Sequence, residues 1–174
     1  MNLYRMAALR AASIIASCLG LCACVQPYTV TLNNNVVYTP NASVRDALAV
    51  DPGLQACIDQ TLVRSQQTDP ASITLLACPS AGVQTLSGIE ALVNLEQLEL
   101  GDNEVSNLGP LIPLKNLRVL GLRDNRIGDI RALAELPILR FVSLEGNDGI
   151  PCRQLDGLAA RLGNTLGRPQ ACIN

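Results

Sequence analysis

From residue 73 onward, apolar and polar positions recur with a period of 22 residues. One column holds Ile73, Leu95, Leu117 and Leu139, the next Leu76, Leu98, Leu120 and Val142, and a third Cys78, Leu100, Leu122 and Leu144. Asn103, Asn125 and Asn147 make a fourth. Aliphatic columns follow at Val83, Val105 and Ile127, at Leu86, Leu108 and Ile130, at Ile89, Leu111, Leu133 and Leu155, and at Leu92, Leu114, Leu136 and Leu158. Eight columns in phase over residues 73 to about 160 mark a stack of repeated units.

Within each unit the apolar residues of the LxxLxL stretch point inward and the residues between them point out. Each turn therefore contributes one short strand to a parallel sheet. The Asn at the bend after the strand satisfies backbone groups that would otherwise be buried without partners. One turn cannot cover its own apolar edge, so turns stack and only the two ends need lids. The segments 104–116 and 126–138 between strands contain Pro110, Pro113 and Pro137, which forbid a full α-helix and leave 3₁₀ or extended structure on the outer side.

The pattern LxxLxLxxN with an aliphatic residue two places after the Asn resembles the internalin type of 22-residue leucine-rich repeat, over roughly residues 45–174. The fold expected is an α/β solenoid: a short right-handed leucine-rich-repeat coil with a parallel β-sheet on its concave face, a helical N-terminal cap and a disulfide-tied C-terminal cap. The resemblance also implies use in protein recognition without a catalytic domain.

Both lids are readable. Asp51-Pro52 suits the N-cap and first position of a helix that carries Leu54, Cys57, Ile58, Thr61 and Leu62 on one face and Gln55, Asp59, Gln60 and Arg64 opposite. This resembles the cap that precedes internalin-type repeats. At the other end Leu155, Leu158 and Leu162 continue a helical spacing from Cys152, which Gly163, Gly167 and Pro169 then break.

The first 23 residues follow different rules. Arg5 and Arg10 precede an apolar run, Ala11 to Leu21, which reaches only about 16 Å as a helix, roughly half of a bilayer's hydrocarbon core. This is the layout of a secretory signal. Leu21-Cys22-Ala23-Cys24 resembles the lipobox of bacterial lipoproteins, in which Cys24 is acylated and becomes the first residue. Ile15-Ala16-Ser17-Cys18 is a rival box with a shorter apolar run. Val25 after the Cys resembles the outer-membrane-sorted class. The expected organisation is thus a lipoprotein signal over 1–23, a linker with a short hairpin over 24–44, the N-terminal cap over 45–72, the repeats over 73–151 and the C-terminal cap over 152–174. The hairpin arms would be Tyr28 to Leu32 and Val36 to Tyr38 around Asn33-Asn34-Asn35.

Setting aside Cys18, Cys22 and Cys24 leaves Cys57, Cys78, Cys152 and Cys172, an even number that in an exported chain suggests two disulfides with three possible pairings. A tetrathiolate zinc site would need pairs two to four residues apart, and none exists. In the repeat register Cys78 and Cys152 lie about three coils or about 14 Å apart, too far for a bridge. The pairs expected are Cys57 with Cys78 and Cys152 with Cys172, each tying a cap to its neighbouring coil.

Composition narrows the chemistry. The chain of 174 residues has no His and no Trp, and its aromatics are Tyr4, Tyr28, Tyr38 and Phe141. Without His there is no Ser-His-Asp or Cys-His hydrolase and little basis for a transition-metal site. No Gly-rich phosphate loop is present, so the chain is not read as an enzyme and no cofactor or metal is expected. Thirteen Lys and Arg against 15 Asp and Glu give a net charge of −2, with Lys115 as the single lysine, which excludes a nucleic-acid partner. Removing 1–23 takes away Arg5 and Arg10 and leaves −4. The paired acids Asp102 and Asp124, with Asp129 and Asp148, lie on polar bends and read as solvated turn residues.

The outward strand positions carry the expected binding surface. Phe141 sits beside Val119, with Arg118, Arg123 and Arg140 around it and Gln97 and Glu99 on the preceding strand. An aromatic among arginines is the usage of protein-binding hot spots. The alternative is lateral pairing between strands: Glu96 with Arg118, Arg123 with Glu145, Val119 with Phe141. The function expected is a monomeric, lipid-anchored module of the cell envelope, in the outer membrane, that binds an unidentified protein ligand. The competing reading is a structural envelope lipoprotein without a specific ligand.

Overall fold

A computed structural model describes residues 30–32, 35–38 and 48–173. The signal segment and Cys24 lie outside the described residues. The chain divides into two units, residues 1–42 and 43–174. In the first, β1 (Val30–Leu32) pairs antiparallel with β2 (Asn35–Tyr38), Leu32 opposite Asn35. The hairpin is present, but Asn35 belongs to its second strand rather than to its turn.

The second unit is the solenoid. Helix α1 (Pro52–Ser65) is followed by β3 (Leu75–Ala77), β4 (Gln97–Glu99), β5 (Val119–Gly121) and β6 (Phe141–Ser143). Helix α2 (Cys152–Leu162) and the two-residue β7 (Leu166–Gly167) close the far end. The five strands form one parallel sheet in sequence order, and each residue pairs with the one 22 positions later from β3 to β6: Leu76, Leu98, Leu120 and Val142 stand side by side. The return paths are 3₁₀ turns at Ile89–Ala91, Gly109–Leu111 and Arg131–Glu135. Pro110 stands at the start of the second of these, where no N–H is needed, and the proline-free turn Ile89–Ala91 has the same three-residue length.

The columns of the repeat are the core. Leu95, Leu117, Leu98, Leu120, Leu100, Leu122, Leu111, Leu133, Leu114 and Leu136 are at most 1% exposed. Burying one such side chain is worth about 1.5–3 kcal/mol, and each coil supplies six or more. The core contains no ring, so shape complementarity comes from aliphatic side chains stacked in register.

The Asn column does the polar work. Asn103 Oδ1 accepts from the N–H groups of Ala81 and Val83 at 3.0 and 2.9 Å, and its Nδ2 donates to the carbonyls of Cys78, Leu100 and Gly101. Asn125 repeats the motif with Val105 N–H and the carbonyls of Leu100, Leu122 and Arg123. Asn147 does so with Ile127 N–H and those of Leu122, Leu144 and Glu145. Each side chain therefore joins its own bend to the previous coil. Asp102 and Asp124, just before Asn103 and Asn125, adopt left-handed backbone at φ 57° and 51°. That conformation makes the bend, and Asp tolerates it better than a β-branched residue.

The caps add covalent and electrostatic ties. Cys57 is bonded to Cys78 and Cys152 to Cys172, with Cα atoms 5.8 and 5.4 Å apart. By loop-closure entropy, loops of this size make each bridge worth about 3 kcal/mol. Asp51 is buried and its carboxylate is shared. Oδ1 accepts from Gly53 and Leu54 at the start of α1, while Oδ2 accepts from Gln84 and Thr85 on the first coil. Burial by itself would raise its pKa, but the four backbone donors outweigh that and hold the carboxyl below the ordinary aspartate value.

Gln55 departs from the helical-wheel expectation. Instead of lying on a solvated face it is 6% exposed, because residues 48–50 cross back over α1. Its Oε1 accepts from Ala49 N–H at 3.0 Å and its Nε2 donates to Asp59. Gly88 makes that crossing possible. At φ 99° it is left-handed, and a side chain there would run into the Leu48 carbonyl.

Candidate functional site

The outward face of the sheet is built by alternation along three-residue strands. In β3 to β6 the central residue is buried, and the first residue of each strand faces out. Leu75, Gln97, Val119 and Phe141 thereby stand in one row across the sheet, in register. Phe141 is 43% exposed and Leu75 52%, so the row is apolar at both ends. Val119, its lateral neighbour, covers only part of the ring. Leu75 falls in the outward column that the 22-residue register gives to Gln97, Val119 and Phe141, but its aliphatic side chain does not by itself mark it as a binding residue.

The charged residues resolve into distinct arrangements. Arg118 meets Glu96 at 3.8 Å, the lateral pair expected from the register. Arg123 does not reach Glu145; its guanidinium meets the adjacent Asp124 at 3.4 Å instead. The reason is steric: Glu145 lies over Gly167 of β7, as Glu99 lies over Gly121 of β5. Glu99 Oε1 also accepts from Gly101 N–H at 3.1 Å. A side chain at Gly121 would overlap the Glu99 carboxylate, so this glycine makes the space into which Glu99 folds down. Among the described residues no ion pair involves Arg140, which leaves the cation next to Phe141 without a charged neighbour held to it. Exposed pairs of this kind contribute about 0–1 kcal/mol and shape the surface field more than the stability.

That field is polarised along the solenoid. Residues 48–110 contain eight acids and one base, whereas residues 111–174 contain six acids and nine bases. The two cross-coil pairs Arg118–Glu96 and Arg126–Glu104 sit where the sign changes. From β3 to β7 the sheet spans about 19 Å at the usual strand spacing. This exceeds the Debye length of about 8 Å at physiological salt, so each end presents its own sign to a partner. At the basic end Arg131 forks onto Asp129, with Nε 2.8 Å and Nη2 2.5 Å from one carboxylate oxygen. The Arg131 hydrogen bonds hold the Asp129 carboxyl below its ordinary range and raise the guanidinium further.

Among the described residues no group of three or more His, Cys, Asp or Glu side chains is placed to hold a metal ion, and no helix is long and apolar enough to cross a membrane.

The architecture has close counterparts among solved structures. An internalin (inlF) from Listeria monocytogenes matches with 33% identity and a TM-score of 0.54, over 60% of this chain and 32% of that one. Internalin C2 (inlC2) from the same organism matches with 27% identity and a TM-score of 0.60, over 71% of this chain and 56% of that one. The fold is a leucine-rich-repeat solenoid of the internalin kind. The chain spans about a third of the length of the first internalin and just over half of the second. No family model and no curated protein matches the sequence.

Proposed function

We propose that this chain is an exported, lipid-anchored protein of the bacterial envelope, in the outer membrane, and that it binds a protein partner through the outward face of its repeat sheet. Phe141 is the anchor, with Val119 beside it and Arg118, Arg123 and Arg140 around it; Gln97 and Glu99 extend the contact toward the N-terminal cap. The observation that carries this reading is a ring 43% exposed on a sheet whose inward columns are already filled by aliphatic residues. The core does not need it. The internalin neighbours support protein binding in general, and the signal-like segment ending at Cys24 supports the anchor.

Two substitutions test the two halves of the reading. Replacing Cys24 by Ser removes the acylated thiol, so the protein should leave the membrane fraction, and intact mass of the native protein should show acyl chains on Cys24. A native mature chain beginning at Cys18, or a Cys24→Ser protein that still sediments with membranes, overturns the anchor.

Phe141→Ala should leave folding nearly unchanged, within about 0.5 kcal/mol for a surface site. It should cost about 2 kcal/mol or more of binding to a partner captured by the soluble Cys24→Ser protein. A stability loss of about 3 kcal/mol would make the ring part of the packing and end the site proposal.

A further inference from the structure

A second surface is formed by a return turn and the C-terminal cap helix, and none of its residues lies on the sheet row of Phe141. Between the 3₁₀ turn Arg131–Glu135 and α2 lies an open groove of about 320 Å³ lined by Ile130, Arg131, Ala134, Gly157, Leu158 and Arg161, with Gln154 also in its wall. Its floor is apolar. Ile130 and Leu158 are buried in the core beneath it, and Gln154 is occupied, its Oε1 accepting from Ile130 N–H at 2.9 Å. Its rim is cationic. Arg161 is held by one Nη2 bond to the Leu133 carbonyl at 2.9 Å, and Arg131 by the Asp129 fork. Each guanidinium has five N–H donors in a planar fork, so both retain donors for a carboxylate.

Gly157 is the residue without a structural reason. It lies inside α2, where glycine is the poorest helix former apart from proline. It has no left-handed backbone, and a Cβ built on it meets nothing within 4 Å. Neither packing nor conformation requires it, yet a larger side chain would project into the groove. The glycine keeps this wall of the groove open at a cost of about 1 kcal/mol in helix propensity.

We propose that this groove docks an acidic protein segment, with an aliphatic side chain of Leu or Ile type over Ile130 and Leu158 and carboxylates on Arg131 and Arg161. Charge complementarity selects that occupant. Of the residues lining the groove, Arg131 and Arg161 are charged and none is an acid, and although Asp129 already pairs with Arg131, the lining favours an anionic segment over a cationic one. Apolar contact and paired guanidiniums together demand both features in one ligand.

The test uses the soluble Cys24→Ser protein and three fluorescein-labelled ten-residue probes: one of Glu and Leu, one of Lys and Leu, one of Glu and Ser. The Glu/Leu peptide should bind, at least tenfold more tightly than either control, and weaken as salt rises. Arg131→Gln and Arg161→Gln should each weaken it several-fold. Gly157→Leu should abolish binding while the melting temperature stays equal or rises, since the substitution favours the helix. Phe141→Ala should leave binding unchanged, which separates this site from the sheet face. Equal binding of the Glu/Ser or Lys/Leu peptide, no binding at millimolar concentration, or an unaffected Gly157→Leu variant overturns the proposal. So does decanoate competing as strongly as the peptide, which would make the groove a fatty-acid site.

Discussion

Replacing Asn103 by Ala should cost about 4 kcal/mol, more than cutting either disulfide. The side chain is buried and makes five hydrogen bonds, two accepted from Ala81 and Val83 and three donated to Cys78, Leu100 and Gly101. A buried group stripped of its partner costs about 1–3 kcal/mol, and solvent can recover only part of five. Denaturant unfolding at neutral pH measures the loss. Hydrogen exchange should show residues 78–83 opening first, because the two N–H groups orphaned by the substitution belong to the coil before Asn103. Asn103→Asp is the sharper control. It keeps one accepting oxygen but turns the other against three carbonyls, so the new carboxyl is pushed above its ordinary range and the variant should regain stability as pH falls. A cost below about 1 kcal/mol for Asn103→Ala would mean that water takes over the side chain's bonds and that the Asn column is dispensable.

Asp51→Ala should loosen the N-terminal end of the lid at a cost of about 3–4 kcal/mol. Four backbone donors lose a charged acceptor at once, two at the start of α1 and two on the first coil, and hydrogen bonds to a charged group are worth about 1.5–3 kcal/mol each before solvent repays part. The native carboxyl is depressed, so its contribution is fully present above the ordinary aspartate pKa of about 4 and is lost as pH falls through the lower folded value. The native protein should therefore lose stability below about pH 4, and Asp51→Asn should flatten that part of the profile while weakening the cap at pH 7. Urea midpoints between pH 2 and 7 for the three proteins decide it. An identical acid limb in the native and Asp51→Asn proteins would assign the pH dependence to other carboxylates. The Cys57–Cys78 bridge still tethers α1 in these variants, so the helix should fray from its N-terminal end rather than leave.

Periodicity carried most of the fold. A column such as Leu76, Leu98, Leu120 and Val142 can be read without coordinates because a solenoid repeats one environment every 22 residues, so each position is determined by its equivalents in adjacent coils. The 3₁₀ returns within 104–116 and 126–138 followed from prolines, the lid helix from Asp51-Pro52, and the outward exposure of Phe141 from strand alternation, whereas the proline-free return at Ile89–Ala91 is 3₁₀ as well.

What the repeat could not determine lies where the chain departs from it. Gln55 is buried because a non-repeating segment, residues 48–50, crosses α1, and no helical wheel contains that segment. The second oxygen of Asp51 reaches Gln84 and Thr85, 33 and 34 residues away, so a residue legible as a helix cap turned out to be a clamp between cap and coil. Arg123 turns to Asp124 because Glu99 and Glu145 fold down over Gly121 and Gly167, a choice made by side-chain volumes on neighbouring strands. The groove beside Gly157 exists only where α2 lies against Ile130 and Ala134 of an earlier coil. Local pattern determines which face of each element is apolar; contacts between residues far apart in the chain decide which polar groups are shared, which are displaced and where the surface opens.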